Sequence, residues 1–271
     1  MNGEAITYDN GGNPTTYSNG KRIYDLTWAN GRQLTEIKEH ESEIASYTYT
    51  YGLDGIRTAK IGKLDKTSYV TIDGKLVRQV VTLPKRQHRY LEFIYDGFGR
   101  PFALNYGTNG TDYTTYYYIL NLQGDVVKLI GTDGTVAASY TYDAWGNILS
   151  SSGTMANINP LRYRGYYYDG ETGFYYLQSR YYDPVNRRFL NADSFASTGQ
   201  GFVGTNMFAY CGNNPTSRID PTGQSFADIW EFIEDAISEI GSAFKELTPV
   251  FTSCGGFAAA DGPLPIGDIV G

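Results

Sequence analysis

Residues 93–106 read FIYDGFGRPFALNY. An aromatic ring stands directly before Asp96, glycines follow, and a polar residue leads into an apolar run. The same order of aromatic, Asp or Asn, Gly, polar and apolar residues recurs in degenerate form. It is found in ITYDNGGNPTTY (6–17), LTWANGRQLTEI (26–37), YTYGLDGIRTAKI (49–61) and YTYDAWGNILSS (140–151). The anchoring rings are Tyr8, Trp28, Tyr51, Tyr95 and Tyr142, separated by 20, 23, 44 and 47 residues. The two long gaps are close to twice the short ones, and weaker copies fill them at YVTIDG (69–74) and YILNLQG (118–124). A period of roughly 20–25 residues is one hairpin, whereas a propeller blade needs nearly twice that. Hairpins of this kind bury one face against their neighbours and cannot stand alone.

The runs between the repeat cores are strand-like. YTYTY (47–51) and ASYTY (138–142) alternate with period two. Asp-Gly occurs at 54, 73, 96, 133, 169 and 261, and Asn-Gly at 2, 10, 19, 30 and 109. Such pairs tolerate positive φ at both central positions, which type I′ hairpins require. Of 271 residues, 32 are Gly and 25 are Tyr, while only 19% are charged. That composition suits short pleated strands joined by tight turns. No helical periodicity precedes residue 224. The expected fold is therefore mainly β: one extended, coiling antiparallel sheet of repeated hairpins, with one face turned to an enclosed space. The tyrosines read as structural, since a ring with a polar tip suits a half-wet sheet face. Carbohydrate stacking is the weaker reading.

Several classes drop out on composition. No apolar run reaches membrane-spanning length, and no basic segment followed by an apolar one opens the chain. Cys211 and Cys254 make no disulfide framework, and with His40 and His88 they make no zinc site. No metal or cofactor is expected. The net charge of −7 is unevenly spread. Beyond Gly223 stand one cation, Lys245, and eight anions, so residues 1–223 balance at 21 of each sign. Nucleic-acid binding by a basic face is not expected, and Lys85, Arg86, His88 and Arg89 read as a solvated loop.

Residues 142–223 are denser in motif. They contain NPLRYRGYYYDGETGFYYLQSRYYDPVNRRFLNAD (159–193) and NMFAYCGNNPTSRIDPTGQ (206–224). The patterns YxxxxGxxYxxxRYYDPxxxRFxxxD and NxxxYxxNNPxxxxDPxG are highly specific. The segment closely resembles the core domain of RHS-repeat (YD-repeat) proteins, which also underlies the YD-shell of teneurins. The upstream repeats match the looser YD consensus.

The resemblance implies that YD repeats spiral into a hollow β-shell and that the core closes one end like a plug. In bacterial members the shell holds a C-terminal toxin, whose partner is an immunity protein. The chain then divides into repeats (1–141), core (142–223) and a variable tail (224–271). It would be the last third of a partial shell, secreted or at the cell surface within a longer protein. DGPLPIGD (261–268) resembles a pre-toxin linker.

The tail carries one helical signal. Phe226, Ile229, Trp230, Ile233, Ile237, Ile240, Phe244 and Leu247 form a stripe at helical period. Ser225 is the candidate N-cap and Pro249 the stop. The spacing predicts an acidic amphipathic helix over 225–247, lying on protein and not inserted in a membrane.

The candidate chemistry is a carboxylate pair. Some RHS proteins cut themselves at the end of the core motif with aspartates, and by that resemblance the candidates are Asp193 (LNADSF) and Asp220 (RIDPTGQ). Arg188 and Arg218 are candidates to tune them. Two close carboxylates can share a proton, one acting as base and one as acid on a water. The break would fall in the region of Gly223, Gln224 and Ser225. The bland reading is that Asp220-Pro221-Thr222-Gly223 is a β-turn. Cleaving members usually carry Pro where Ser194 stands and Leu where Gln224 stands. These departures, and solvation of the aspartates in a short shell, predict a chain that stays mostly uncut. Cys211 reads as a small buried residue. Three functions are thus weighed: an encapsulation module that holds a C-terminal toxin, an aspartic autoprotease releasing the tail, and an adhesive or carbohydrate-binding β module.

Overall fold

The structure, a computed structural model, describes residues 6–19, 22–44, 46–193 and 206–229. All belong to one compact unit. Fourteen strands follow one another as a meander: β1 (Thr7–Tyr8), β2 (Pro14–Ser18), β3 (Ile23–Ala29), β4 (Gln33–Glu39), β5 (Tyr47–Tyr51), β6 (Arg57–Gly62), β7 (Lys66–Ile72), β8 (Lys75–Leu83), β9 (Gln87–Tyr95), β10 (Pro101–Gly107), β11 (Thr114–Leu120), β12 (Val126–Gly131), β13 (Val136–Tyr142) and β14 (Ile148–Ser152). Each pairs antiparallel with the next, in strict sequence order and without closure. The mainly β architecture of an extended antiparallel sheet is as the repeats predict.

The turns differ from the expected type I′. In the units led by Asp9, Asp96, Asn121 and Asp143, the leading residue's N–H bonds the carbonyl four residues on, and its own carbonyl accepts the N–H three residues on. A glycine takes the left-handed position (Gly146, φ 87°). This is a type I turn closed by a left-handed glycine, which adds a bulge. The register accordingly shifts at Tyr8, Trp28, Tyr51 and Tyr142, beside the turn. The leading side chain explains the choice. Asp143 Oδ1 accepts the N–H groups of Trp145 and Asn147 (both 2.9 Å), an Asx arrangement that fixes the turn without needing two left-handed residues. Only Asp73-Gly74, between paired Ile72 and Lys75, is a two-residue turn with both residues left-handed among the Asp-Gly hairpins described.

The anchoring rings end β5, β9 and β13, stand one residue from the end of β3, and tie each hairpin to the strand before it. Trp28 Nε1–H donates to Pro14 O (2.7 Å), and the hydroxyls of Tyr51, Tyr95 and Tyr142 donate to Leu34, Leu76 and Val126 O (each 2.8 Å). The weaker copies end in Ile72 and Leu120, which carry no such donor.

Alternation gives the sheet two faces. In β7, Thr67 and Tyr69 are buried while Lys66, Ser68 and Val70 are exposed. The buried face is covered by the chain after β14. Met155, Ala156 and Leu161 pack with Leu91, Phe93, Leu104, Tyr118 and Leu129. Phe174, Tyr181 and Leu190 pack with Tyr17, Tyr24, Leu34, Ile37 and Tyr49. This covering segment has its own small sheet, β15 (Tyr167–Asp169), β16 (Phe174–Tyr176), β17 (Tyr181–Asp183) and β18 (Arg188–Phe189), in meander order. The expected hairpin with its turn at Asp169–Gly173 is β15–β16. Tyr175, Leu177, Tyr181 and Cys211 are all buried.

The predicted helix begins differently. β20 (Ala227–Asp228) pairs with β19 (Arg218–Ile219), and Ile229 N–H bonds Ser217 O at 2.9 Å, so residues 227–228 are strand. Ladder bonds to the strand after the 215–217 turn outweigh the helical stripe there. From residue 230 on, the predicted helix and the linker-like stretch lie outside the described residues.

Candidate functional site

Asp193 and Asp220, 27 residues apart in sequence, meet on one guanidinium. Arg180 Nη2 lies 2.8 Å from Asp193 Oδ2 and 3.4 Å from Asp220 Oδ2. Its Nη1 donates to Met207 O (3.1 Å), its Nε to Gly223 O, and its guanidinium lies 3.6 Å over the Phe189 ring. Arg180 is placed by the tight turn after β16, in which Leu177 N–H bonds Arg180 O (2.9 Å) and Gln178 is left-handed. Asp193 is fixed by its own N–H to Met207 O (2.8 Å) and by Arg32, whose Nη1 donates to Ala192 O (2.6 Å).

Asp220 heads the turn expected of Asp-Pro-Thr-Gly. Its Oδ1 accepts the N–H groups of Gly223 (2.8 Å) and Gln224 (3.1 Å), and its own N–H donates to the Tyr166 hydroxyl (3.2 Å). Gly223 is left-handed (φ 75°), and a Cβ there would stand 2.9 Å from Leu177 O and 2.9 Å from Ser179 Oγ. Only glycine brings the chain this close to the Arg180 turn. Ser179 Oγ–H completes the seam to Thr222 O (2.7 Å).

The aspartates are 4% and 2% exposed. Solvation, expected to keep both at ordinary acidity, is thus absent: the covering segment itself supplies the wall. Burial pushes the Asp220 carboxyl up to about 6, with Arg180 pulling the other way. A cavity of ≈ 20 Å³ lies among Arg180, Asp193, Asp220, Gln224 and Ser225, room for one water. The arrangement joins an ion-paired carboxylate, a carboxyl that titrates near neutrality, a cation on the Gly223 carbonyl, and space for a water.

Arg188 and Arg218, named as tuning residues, are elsewhere. Arg188 stacks on Phe208 (4.2 Å) and Arg218 on Phe226 (4.6 Å). The residue between the aspartates is Arg180, the Arg of the RYYDP motif. The motif held the signal, but nearness along the chain favoured the wrong arginines.

A second charged centre was missed altogether. Arg57, on β6, is buried and grips Asp169 with both Nη atoms (2.7 and 3.2 Å), and Lys60 Nζ reaches Asp169 Oδ1 (3.0 Å) and Glu171. Rings of Tyr49, Tyr69, Tyr167, Tyr176 and Tyr181 surround the guanidinium at 4.5–5.8 Å. Burial alone would raise the Asp169 carboxyl, but Arg57 and Lys60 hold it below the usual range. Glu171, half-buried beside Asp169, is pushed up by desolvation and by that neighbouring charge. The available signal was parity: Arg57 shares the inward phase of Ala59.

The family model of the teneurin YD-shell matches residues 85–215. The tRNA nuclease WapA of Bacillus subtilis (strain 168) is 34% identical over 224 residues, 82% of this chain and 9% of that protein. The double-stranded DNA deaminase toxin A of Burkholderia cenocepacia (strain H111) is 38% identical over 93 residues, 33% of this chain and 6% of that protein. The chain thus spans about a tenth or less of these curated relatives. Among solved structures, the TcdB2–TccC3 crystal structure superposes with a TM-score of 0.66 at 22% identity, covering 80% of this chain and 11% of that one. The Photorhabdus luminescens Tc holotoxin pore does so at 0.65 and 20%, covering 80% and 10%.

Proposed function

We propose that this chain, a YD-repeat (RHS) protein with a YD-shell segment over residues 85–215, is the closing end of a shell that encapsulates a C-terminal toxin. The observation that carries this is the pairing of wall and plug. A 14-stranded sheet has one face covered by its own following chain, and that chain is fastened by the buried Arg57–Asp169 pair. Ion pairs sealed in this way fix a unique geometry more than they add stability, which suits a lid. The partners are the remaining shell repeats, the toxin that follows the plug, and that toxin's immunity protein. The assembly acts outside the producing cell, secreted or at its surface. WapA and the deaminase toxin, named for attack on nucleic acid, support the reading that the enclosed toxin acts on nucleic acid. The test is protease protection in the full-length gene product. The region after residue 229 should resist digestion, and Asp169→Ala should expose it. Equal digestion of both proteins would overturn the reading.

A second reading rests on the Arg180 centre. Self-hydrolysis in the 223–225 region would add one water across a peptide bond, leaving a new carboxylate upstream and a new ammonium downstream. Asp220, half-protonated near pH 6, is the acid toward the departing nitrogen. Asp193 is the base, and Arg180, already on Gly223 O, polarises that carbonyl. Intact mass of the purified protein tests this. Two species that vanish in Asp193→Asn and in Asp220→Asn would establish the enzyme, and a single uncut mass would leave the centre structural.

A further inference from the structure

Next to the Arg180 cavity, and sharing Asn206 with it, lies a wider open cleft of ≈ 330 Å³. Its lining includes Trp145, Arg187, Arg188, Asn206, Phe208 and Asn213. Among the described residues no acidic side chain lines it. The β17–β18 turn creates it: Asp183 Oδ1 accepts the Val185 N–H (2.8 Å) and the Asn186 N–H (3.3 Å), and Arg187 is held left-handed at φ 60°. Consecutive arginines consequently lie on different aromatic surfaces. The Arg187 guanidinium stands 5.4 Å over Trp145, and that of Arg188 4.2 Å over Phe208.

Neither has a carboxylate within 4 Å among the described residues, and Arg188 donates to neutral oxygens there, Tyr8 Oη and Phe189 O (both 3.2 Å). A guanidinium stacked on a ring is already ordered for a carboxylate; Arg188 donates from Nε and Nη2, which leaves its Nη1 for one. Arg180, by contrast, is wholly occupied by two carboxylates and two carbonyls.

We propose that this cleft binds an acidic peptide segment, with Arg187 and Arg188 each taking one carboxylate and Asn206 and Asn213 flanking them. A single phosphate is held best by charges that converge on it. Here the two charges rest on separate rings, which fits two carboxylates spaced along an extended chain. The cleft is also a local positive feature in a region whose charges otherwise balance.

Fluorescence anisotropy with a labelled (Glu-Gly)₅ peptide and its (Gln-Gly)₅ counterpart tests this on the intact protein. The Glu peptide binds and weakens as salt rises, while the Gln peptide does not bind. Arg187 is exposed, so Arg187→Gln keeps the melting temperature and lowers affinity roughly fivefold, the size of one solvent-facing ion pair. Arg187→Glu removes detectable binding, and Lys85→Gln, at the basic hairpin tip, changes nothing. The proposal is overturned if no binding is seen, if Arg187→Glu leaves it intact, or if the Gln peptide binds equally. It is also overturned if inorganic phosphate displaces the peptide at equal concentration, which would assign a phosphate site.

Discussion

Within the sheet, each ring bond spans less than one repeat: Trp28 reaches Pro14, and Tyr142 reaches Val126. In the covering segment the decisive bonds span most of the chain. Arg57 and Asp169 are 112 residues apart, and Tyr17, whose hydroxyl donates to Asp183 at 2.8 Å, is 166 residues from it. The sheet is redundant, with many equivalent small contributions that a degenerate repeat can supply. The plug is singular, because its charged residues meet in two centres, Arg57–Lys60–Asp169 and Arg180–Asp193–Asp220, neither of which is repeated. Loss should therefore be graded in the sheet and abrupt in the plug.

Four substitutions or conditions sharpen that contrast. Asp169→Ala leaves Arg57 buried without its carboxylate and should cost about 3–5 kcal/mol, read as the midpoint of denaturant unfolding. A loss under 1 kcal/mol would show that water reaches the pair. Leu177→Ala, at 1% exposure, empties the seam between β16 and Arg180. It should cost about 2–4 kcal/mol, visible as a lowered melting temperature. The third is a pH slope. Asp220 titrates at about 6 in the fold against 3.8 for the free group, so the folded state holds the proton more tightly. Stability contributed by that proton grows as pH falls from 7 through 6 toward 4 and is lost as pH rises through 6. Asp220→Asn should flatten this slope in melting curves taken across that range. Asp169 works oppositely, since its depressed value gives stability above pH 3.8 that acid removes. The smallest effect belongs to the sheet: Tyr95→Phe deletes one hydroxyl bond to Leu76 O and should cost about 1 kcal/mol. If it matched Asp169→Ala, the redundancy of the sheet would be refuted.

Sequence reading recovered the regular part and named the two aspartates that the fold brings onto one guanidinium. Period, anchoring rings and alternation led to the sheet because those signals are local and repeated. Asp193 and Asp220 were found through motif resemblance. Arg180 was quoted within RYYDP yet given no role, since only the fold carries it from β16 to both aspartates. Arg57 was hidden for a related reason: its partner lies in another region, and a charge in an inward strand position has no local rationale. The turn type was misjudged because Asp-Gly fits two geometries. Side-chain acceptance by Asp143, with Gly146 left-handed instead of a residue pair, selects the bulged one. At 227–228 the helical stripe lost to ladder bonds with Arg218 and Ile219, which periodicity does not register.

The ring bonds also impose a direction in time. In each described case the carbonyl that Trp28, Tyr51, Tyr95 or Tyr142 seeks belongs to an earlier residue. On a ribosome the acceptor has always been made before the donor, so each new hairpin docks on one already formed. Growth from the N-terminal end requires no waiting for distant partners and exposes only one fresh edge at a time. The plug alone must wait: Asp169 and Asp183 emerge long after Arg57 and Tyr17, and seal the sheet only once its strands have been made.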